Sequence, residues 1–431
     1  MDLGTANTII IKDDKIVLDE PSVVAFDNRT GEMIAVGTKA REMYEKGNAN
    51  IRTIRPLREG VIADFDAAEH MIRGMIRMIS RRRGWFTPSL RMVVCIPSGS
   101  TEVEIRAVRD SSEHAGGRDV YMIYEPMAAA IGVGIDVLAP EGHMIVDIGG
   151  GTTEIAVISL GGIVEDQSID TAGDELTQDI MDHMREKHQI KVGERTAEQI
   201  KIQVGAVYAD LDEAPEDFTV WGANMMDTMP RKVEVNYREI AECLDNSIGK
   251  IESAILRTLE ATPPELYADI VANGVVLTGG GALLRGLDKR LSKRFGLDFK
   301  IAENPLHSVA LGTGIALKNI HNFNLETIAL VTYLSGSLYS RSLGWYATSA
   351  VFGRVNELMT EGWSYVGLRP RNEELLRENA RLRTAYTLLA RQMQDAEAHG
   401  LLPRLHATDS LPIDPSAVII ARVVNRVAHT G

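Results

Sequence analysis

Apolar and polar positions alternate in short runs whose period keeps switching, from the first residues to about residue 318. The segments "KIVLDEPSVVAFD" (15–27) and "EMIAVG" (32–37) carry β-branched residues in near alternation and predict strands. In "DAAEHMIRGMIRMISRRR" (66–83), Met71, Met75 and Met78 fall at helical spacing. "RMVVCIP" (91–97) predicts a buried strand halted by proline. "STEVEIRAVRDSSEHAG" (100–116) predicts a helix capped by Ser100 or Thr101, with a glutamate behind the cap. "HMIVDIGGGTTEIAVISLGGIVE" (143–165) predicts two strands joined at the glycines, and "GVVLTGGGALLRGLDKRLSKRFG" (274–296) a strand, a glycine turn and a helix. Strands and helices in alternation predict an α/β fold.

Beyond about residue 320 the pattern changes. Residues 322–365 are rich in Ser, Gly, Tyr and Trp. Leu368, Leu375, Leu382 and Leu389 then recur at seven-residue intervals, with Asn372, Asn379, Tyr386 and Met393 four residues after each. That spacing predicts a coiled-coil seam over 367–395, and asparagines at the seam favour a parallel dimer. An ordinary amphipathic helix packed on its own domain is the alternative. "SAVIIARVVNRV" (416–427) begins a β-rich stretch, so 396–431 reads as the start of an incomplete β domain.

Two stretches raise a chemical question. Asp2-Leu3-Gly4-Thr5 and Asp147-Ile148-Gly149-Gly150-Gly151-Thr152 share one pattern of buried strand, aspartate, glycine turn, threonine and second strand. They lie 145 residues apart, which predicts a duplicated domain. A glycine-rich hairpin lets backbone N–H groups approach phosphate oxygens unobstructed, and threonine hydroxyls add donors. Two such hairpins facing each other would grip a nucleotide's phosphates. The aspartates would be repelled by phosphate, so they fit a Mg2+ ion and its waters. A third glycine turn, Thr278-Gly279-Gly280-Gly281-Ala282, precedes a helix and could pack on base or ribose. No G-x-x-x-x-G-K-[ST] loop occurs, and no G-x-G-x-x-G follows the first strand.

Composition narrows the field. The chain has 431 residues, enough for two to four domains, and 45% hydrophobic residues suffice to bury cores. A net charge of −14 argues against a general nucleic-acid binder. Cys95 and Cys243 lie far apart without metal-type spacing, as expected of reduced cytosolic thiols. The ten histidines show no H-x-x-x-H spacing, and none is read as a metal ligand. No signal peptide opens the chain, and no apolar run reaches the roughly 18 residues needed to cross a bilayer, so a soluble chain is expected. Only Met1 precedes Asp2, which suggests an incomplete N-terminus or a wrongly chosen start codon.

The three glycine turns, in this order, resemble the two phosphate motifs and the adenosine motif of the actin, Hsp70 and sugar-kinase superfamily. Within it, "DLGTANT", "LDEPSVVA", "RPLREGVIADFDAAEHMI", "EPMAAAIG", "VDIGGGTTEIAVISLGGIV" and "VLTGGGALLRGLD" are similar to motifs of the MreB family of bacterial actins. The resemblance covers residues 1 to about 318 or 320. It implies a duplicated α/β domain with a nucleotide cleft, lobe I spanning about 1–133 plus 305–320 and lobe II about 134–304. It also implies a slow ATPase that assembles into double filaments on the inner face of the cytoplasmic membrane and organises cell-wall synthesis in rod-shaped cells. MreC, MreD, RodZ-type and other cell-wall elongation proteins would be its partners, and the protein would be cytoplasmic and membrane-associated.

By position, the resemblance gives Thr5, Ala6 and Asn7 the phosphates from one side, and Gly149, Gly150, Gly151 and Thr152 from the other. Glu198, Gln199, Ile200 and Lys201, in "TAEQIKIQVG", match the helix that touches ribose and base. Gly280, Gly281, Ala282 and Leu283 match the adenosine turn. Asp2 and Asp147 would organise Mg2+ through water, Asp147 being counted with the catalytic groups. Glu125, in "YEPMAAA", and Thr152 match residues that position the attacking water; a helix N-terminal charge beside Pro126 is the equal alternative for Glu125. Trp85 and Phe86, in "RRRGWFTPS", sit where this family inserts a loop into the membrane, with Arg81 to Arg83 meeting anionic headgroups. Folding back onto the core is the competing reading for that pair. The tail resembles the N-terminal region of MreC, carried by "LLRENARLR" (375–383), with 321–366 as a truncated membrane-proximal junction. A small-molecule kinase of the superfamily would need a further catalytic aspartate and a substrate cleft, and an Hsp70-like chaperone a β-sandwich behind the nucleotide domain.

Overall fold

The computed structural model describes residues 1–44, 46, 48–79 and 90–319. All of them belong to the first of two compact units, Met1–Tyr339 and Ser340–Gly431. Trp85, Phe86, the coiled-coil seam and the β-rich end all lie outside the described residues.

The first half runs β1 (Asp2–Leu3), β2 (Asn7–Lys12), β3 (Lys15–Pro21), β4 (Val24–Asp27), β5 (Met33–Val36), α1 (Thr38–Met43), β6 (Ile51–Ile54), β7 (Leu57–Arg58), β8 (Val61–Ile62), α2 (Phe65–Ile79), β9 (Leu90–Ile96), α3 (Glu102–His114), β10 (Gly117–Tyr124) and α4 (Glu125–Gly132). The second half runs β11 (His143–Ile148), β12 (Thr153–Ser159), β13 (Gly162–Ile169), α5 (Gly173–Glu186), β14 (Ile190–Lys191), α6 (Glu194–Val204), β15 (Phe218–Asn224), β16 (Pro230–Val235), α7 (Tyr237–Ala261), α8 (Pro264–Asn273), β17 (Val275–Thr278), a single 3-10 turn (Gly280–Leu283), α9 (Leu287–Phe295), β18 (Phe299–Ile301) and α10 (Ser308–Lys318).

The sheets repeat one plan. In the second half the order is β13-β12-β11-β17-β18, an antiparallel meander continued by two parallel strands. In the first half β3-β2-β1 is the same meander, and β9-β10 the same parallel pair. Met1 joins them: its nitrogen donates to the Val93 carbonyl at 2.6 Å, and its carbonyl accepts from Cys95 at 3.1 Å, the pattern of a parallel ladder. The duplication read from the two glycine hairpins is thus visible in the strand order.

Local chemistry explains the main helix starts. Thr101 caps α3 with a reciprocal capping box, its N–H donating to Glu104 Oε2 at 2.8 Å while its hydroxyl accepts from the Glu104 N–H. Asn236 caps α7 through the Glu239 N–H at 3.0 Å. The stretch 143–165 yields three strands rather than two, because Leu160 and Gly161 both adopt positive φ (50° and 75°) and turn the chain into β13.

Each sheet has its own core. Met71, Ile72 and Met75 of α2 pack with Val94, Ile96, Leu3 and Leu57. Leu176, Ile180 and Met184 of α5 pack with Ile248, Ile251 and Ile255 of α7. A third cluster draws on both halves: Val93 and Cys95 of β9, Met127 to Ile131 of α4, Ile145, Ala156 and Ile158 of the second sheet, and Val309 and Ala316 of α10. Helix α10, the last element among the described residues, returns to lie against α4, β9 and β2. It meets α4 backbone to backbone. A Cβ on Gly132 would overlap the Ser308 carbonyl, and one on Gly312 the Ala128 carbonyl.

Candidate functional site

The two glycine hairpins meet tip to tip. Turn 4–6, between β1 and β2, is held from behind by Ser22, whose hydroxyl donates to the Gly4 carbonyl (2.6 Å) and whose N–H donates to the Ala6 carbonyl (2.9 Å). Turn 149–152, between β11 and β12, is closed by the Gly149 N–H on the Thr152 carbonyl at 2.9 Å. A Cβ on Gly150 would lie 2.7 Å from that of Ala6, and one on Gly151 2.6 Å from Thr5 Oγ1, so only glycine permits this approach. Among the described residues, the N–H groups of Thr5, Ala6, Gly150 and Gly151 donate to no protein acceptor.

A third hairpin, β7–β8, abuts both. Glu59 and Gly60 at its tip have φ of 49° and 73°, a pair of positive values that a two-residue hairpin turn requires. The Gly60 N–H donates to Thr5 Oγ1 at 3.0 Å, and a Cβ on Gly60 would come within 3.1 Å of Thr152 Cγ2. Sequence reasoning noticed "RPLREGVIADF" only as a resemblance and gave this hairpin no role.

Beneath the turns lie four carboxyl groups, Asp2, Glu125, Asp147 and Glu154. Asp147, the penultimate residue of β11, lies directly opposite Glu154 of β12 and beside Thr278 of β17. Burial pushes Asp147 up to about 8, with the charges of Asp2 and Glu154 adding to it. Burial also raises Asp2 to about 6. Glu125 rises well above the usual carboxylate range, through burial and then the charges of Glu154, Asp2 and Asp147. Glu154 is raised by burial, against the pull of its hydrogen bonds to Ser168 and Ser98. Burial is the leading cause of all four shifts, and the charge of Asp2 adds to those of Asp147 and Glu125, so a cation nearby, reached through water, would relieve the group. Glu125 is the first residue of α4, followed by Pro126, and it is also one of this electrostatic group.

Glu154 was not foreseen as a site residue. It is 1% exposed and takes three donors: the Ser98 N–H (3.0 Å), the Ser98 hydroxyl (2.6 Å) and the Ser168 hydroxyl (2.5 Å). Ser98 follows β9 and Ser168 belongs to β13, so this one carboxylate joins the two halves.

The flank of the second hairpin is built from α5 and α6. The N–H groups of Gly173 and Asp174 donate to the Gly149 and Gly150 carbonyls at 3.1 and 2.7 Å. Lys201 donates to the Gly173 carbonyl (2.7 Å) and the Thr177 hydroxyl (2.8 Å), and pairs with Glu198 at 2.7 Å. Glu198 and Lys201 thus share one face of α6, whereas Ile200 is buried in the core and Gln199 is exposed. The 3-10 turn is tied to the end of α6 by Arg285, whose guanidinium donates to the Ile202 and Gly205 carbonyls at 3.3 and 3.2 Å. Within that turn Gly281 and Ala282 are buried, and Gly280 and Leu283 exposed. Asn7 donates its side-chain amide to Asp19 at 3.0 Å. Arg55, from the β6–β7 connection, reaches across to the second half and pairs with Asp174 at 2.7 Å and Glu194 at 2.8 Å. That bridge too went unforeseen.

Comparison with known proteins gives this geometry a family. The model of the MreB/Mbl protein family matches residues 1–325. The chain belongs to the MreB/Mbl family. It is 45% identical over 321 residues to the cell shape-determining protein Mbl of Bacillus subtilis, covering 74% of this chain and 95% of that protein. To the cell shape-determining protein MreB of Escherichia coli K12 it is 46% identical over 325 residues, 74% of this chain and 93% of that one. Among solved structures, MreB5 of Spiroplasma citri bound to AMPPNP superposes with a TM-score of 0.70 at 36% identity, over 76% of this chain and 97% of that one. A MamK double helical filament superposes at 0.62 with 19% identity, over 74% of this chain and 97% of that one, a likeness of fold alone. The MreB/Mbl fold here is therefore actin-like, and relatives named for cell shape do not favour the small-molecule kinase reading. The family match stops at residue 325, so the MreC-like reading of the tail gains no support from it.

Proposed function

We propose that this chain is a nucleotide-dependent, filament-forming actin-like protein that sets rod cell shape by organising cell-wall synthesis at the membrane. The observation that carries the proposal is the tip-to-tip pair of glycine hairpins beside four carboxyl groups that burial raises. The ligand is ATP with Mg2+. The N–H groups of Thr5, Ala6, Gly150 and Gly151 donate to phosphate oxygens, with Asn7, Gly149 and the Thr152 hydroxyl beside them. Asp2 and Asp147 hold the Mg2+ through water. That ion, when bound, screens the phosphate charge and polarises the bond to be broken. Glu125 and Thr152 position the attacking water. The face of Glu198 and Lys201 and the turn of Gly280, Gly281 and Leu283 border the ribose and base, while Ile200, Ala282 and the neighbouring Gln199 shape that border through the backbone.

In this reading lobe I (1–133 with 305–320) and lobe II (134–304) close on the nucleotide, and Arg55 bridges them. Hydrolysis is slow and coupled to assembly of a homopolymer of double filaments. Trp85 and Phe86 enter the inner face of the cytoplasmic membrane, and MreC, MreD and RodZ-type proteins join the assembly. The tail contributes an MreC-like junction, a coiled coil and the start of a β domain.

Light scattering and pelleting with Mg-ATP test the central claim. Filaments with ATP, and none in Asp147→Ala, are the expected result; ATP-independent pelleting of both, or equal ATP affinity in both, overturns it.

A further inference from the structure

The far end of α5 carries a second convergence of ionisable side chains that the nucleotide chemistry does not use. His183 lies in the last turn of α5, His188 just beyond its end before β14, and Glu239 in the first turn of α7. Both imidazole Nε2 atoms point at one oxygen, Glu239 Oε1, His183 at 2.7 Å and His188 hydrogen-bonded to the same atom. The three candidate ligand atoms all lie within 4.8 Å of one another. Among the described residues this is the one His/Cys/Asp/Glu group of metal-binding shape.

We propose that His183 Nε2, His188 Nε2 and Glu239 Oε1 bind a divalent transition-metal ion of the zinc class, with water as the fourth ligand. Two nitrogens and one carboxylate oxygen form the three-ligand set that zinc takes when it keeps an open position. Ligand atoms on a tetrahedral zinc at about 2.0–2.2 Å stand roughly 3.3 Å apart, so the imidazoles need retreat by less than 1 Å from their hydrogen-bonded positions. The backbone around them is fixed. The Lys187 N–H donates to the His183 carbonyl at 2.9 Å, Arg231 donates to the His188 carbonyl at 3.2 Å, and Asn236 holds the Glu239 N–H. The imidazoles are 17% and 18% exposed and the carboxylate 7%, so the site is sheltered yet open enough for an ion and one water to enter.

Lys187 stands 3.5 Å from the same oxygen and already neutralises Glu239. Its side chain is half-exposed and can swing into water when a metal takes over the charge. Two ring nitrogens converging on one carboxylate oxygen are an arrangement that a metal uses. Bound there, the ion would staple the end of α5 to the start of α7. The start of α5 is the segment whose Gly173 and Asp174 hold the second glycine hairpin.

The full chain, stripped with EDTA and kept in Mg-ATP, is incubated with Zn2+, dialysed and its metal content measured; Co2+ replacement reports coordination by its visible absorption. One Zn2+ per chain and a Co2+ band are expected in the unaltered chain. Both should be lost in the His183→Gln/His188→Gln variant, with ATP affinity unchanged. Single substitutions should weaken Zn2+ by at least the roughly 10–100-fold that removing even an outer-shell partner costs. Should the double variant fail to fold, Glu239→Gln, which keeps the side-chain shape, decides by the same weakening. No retained Zn2+, or equal retention in the unaltered chain and the variants, overturns the proposal.

Discussion

Replacing Gly151 by alanine tests whether the touching hairpins form the working surface. The new Cβ would lie 2.6 Å from Thr5 Oγ1, 2.9 Å from the Glu59 nitrogen and 3.0 Å from Thr5 Cβ. Heavy atoms attract at about 3.5–4.0 Å, so all three contacts are repulsive. Two escapes exist. Thr5 can rotate, but its hydroxyl accepts the Gly60 N–H, and a lost partly buried hydrogen bond costs about 0.5–1.5 kcal/mol. Otherwise turn 149–152 backs away from turn 4–6, and overpacking of this kind costs about 1–3 kcal/mol. Whichever escape is taken, about 0.5–3 kcal/mol is at stake, equivalent to about 2- to 150-fold in affinity if the gap falls on the phosphates. Calorimetric titration with a non-hydrolysable ATP analogue in Mg2+ reads this directly. Gly249→Ala is the control, because a Cβ there meets nothing within 4 Å and alanine suits the interior of α7. Unchanged affinity in Gly151→Ala would refute the reasoning, as would an equal loss in Gly249→Ala.

Glu154→Ala removes an acceptor of three hydrogen bonds at a site 1% exposed, and should cost about 2–4 kcal/mol after the burial of the charge is offset. Urea unfolding measures it; a midpoint equal to that of the unaltered chain would show that the two halves do not depend on this carboxylate. The cysteines supply a pH prediction. Burial, followed by Asp179 and Glu239, pushes the Cys243 thiol up to about 12, so the thiolate appears only far above neutrality. At pH 8 alkylation of the folded protein at Cys243 should run about 10³-fold slower than at a free cysteine and accelerate as pH rises. Rapid labelling at pH 8 contradicts this.

The parts legible in the sequence were those whose chemistry is local. A strand that ends in aspartate and glycines shows its turn, and the same pattern at Asp2 and Asp147 showed the repeated sheet. The capping box at Thr101 announced α3 in the same way. Contacts made only by folding were hidden. Glu154 occupies an ordinary alternating strand position, and nothing nearby marks Ser98, 56 residues away, as its partner. Arg55 meets Asp174 across 119 residues. His183 and His188 are five apart, which suits no helical face, because the second lies past the end of α5. Carrying over the run 198–201 whole ignored helical phase, which sends Glu198 and Lys201 one way and Ile200 into the core. The β13 turn was missed because Leu160, a poor turn former, holds a positive φ there.

The return of α10 onto α4, β9 and β2 imposes a schedule on biosynthesis. Strands β1 and β2 leave the ribosome long before the helix that covers them, which ends at Lys318. At about 5–20 residues per second, the stretch between β1 and the end of α10 takes roughly 15–60 s to make. Throughout that interval Val93, Cys95 and the alanines of α4 have no α10 to cover them, whereas the core of α5 and α7 is complete once residue 301 has been made. The helical core of the second half can therefore form before the cluster shared by both halves is closed. The nascent first half depends meanwhile on whatever shields an apolar surface in the cell.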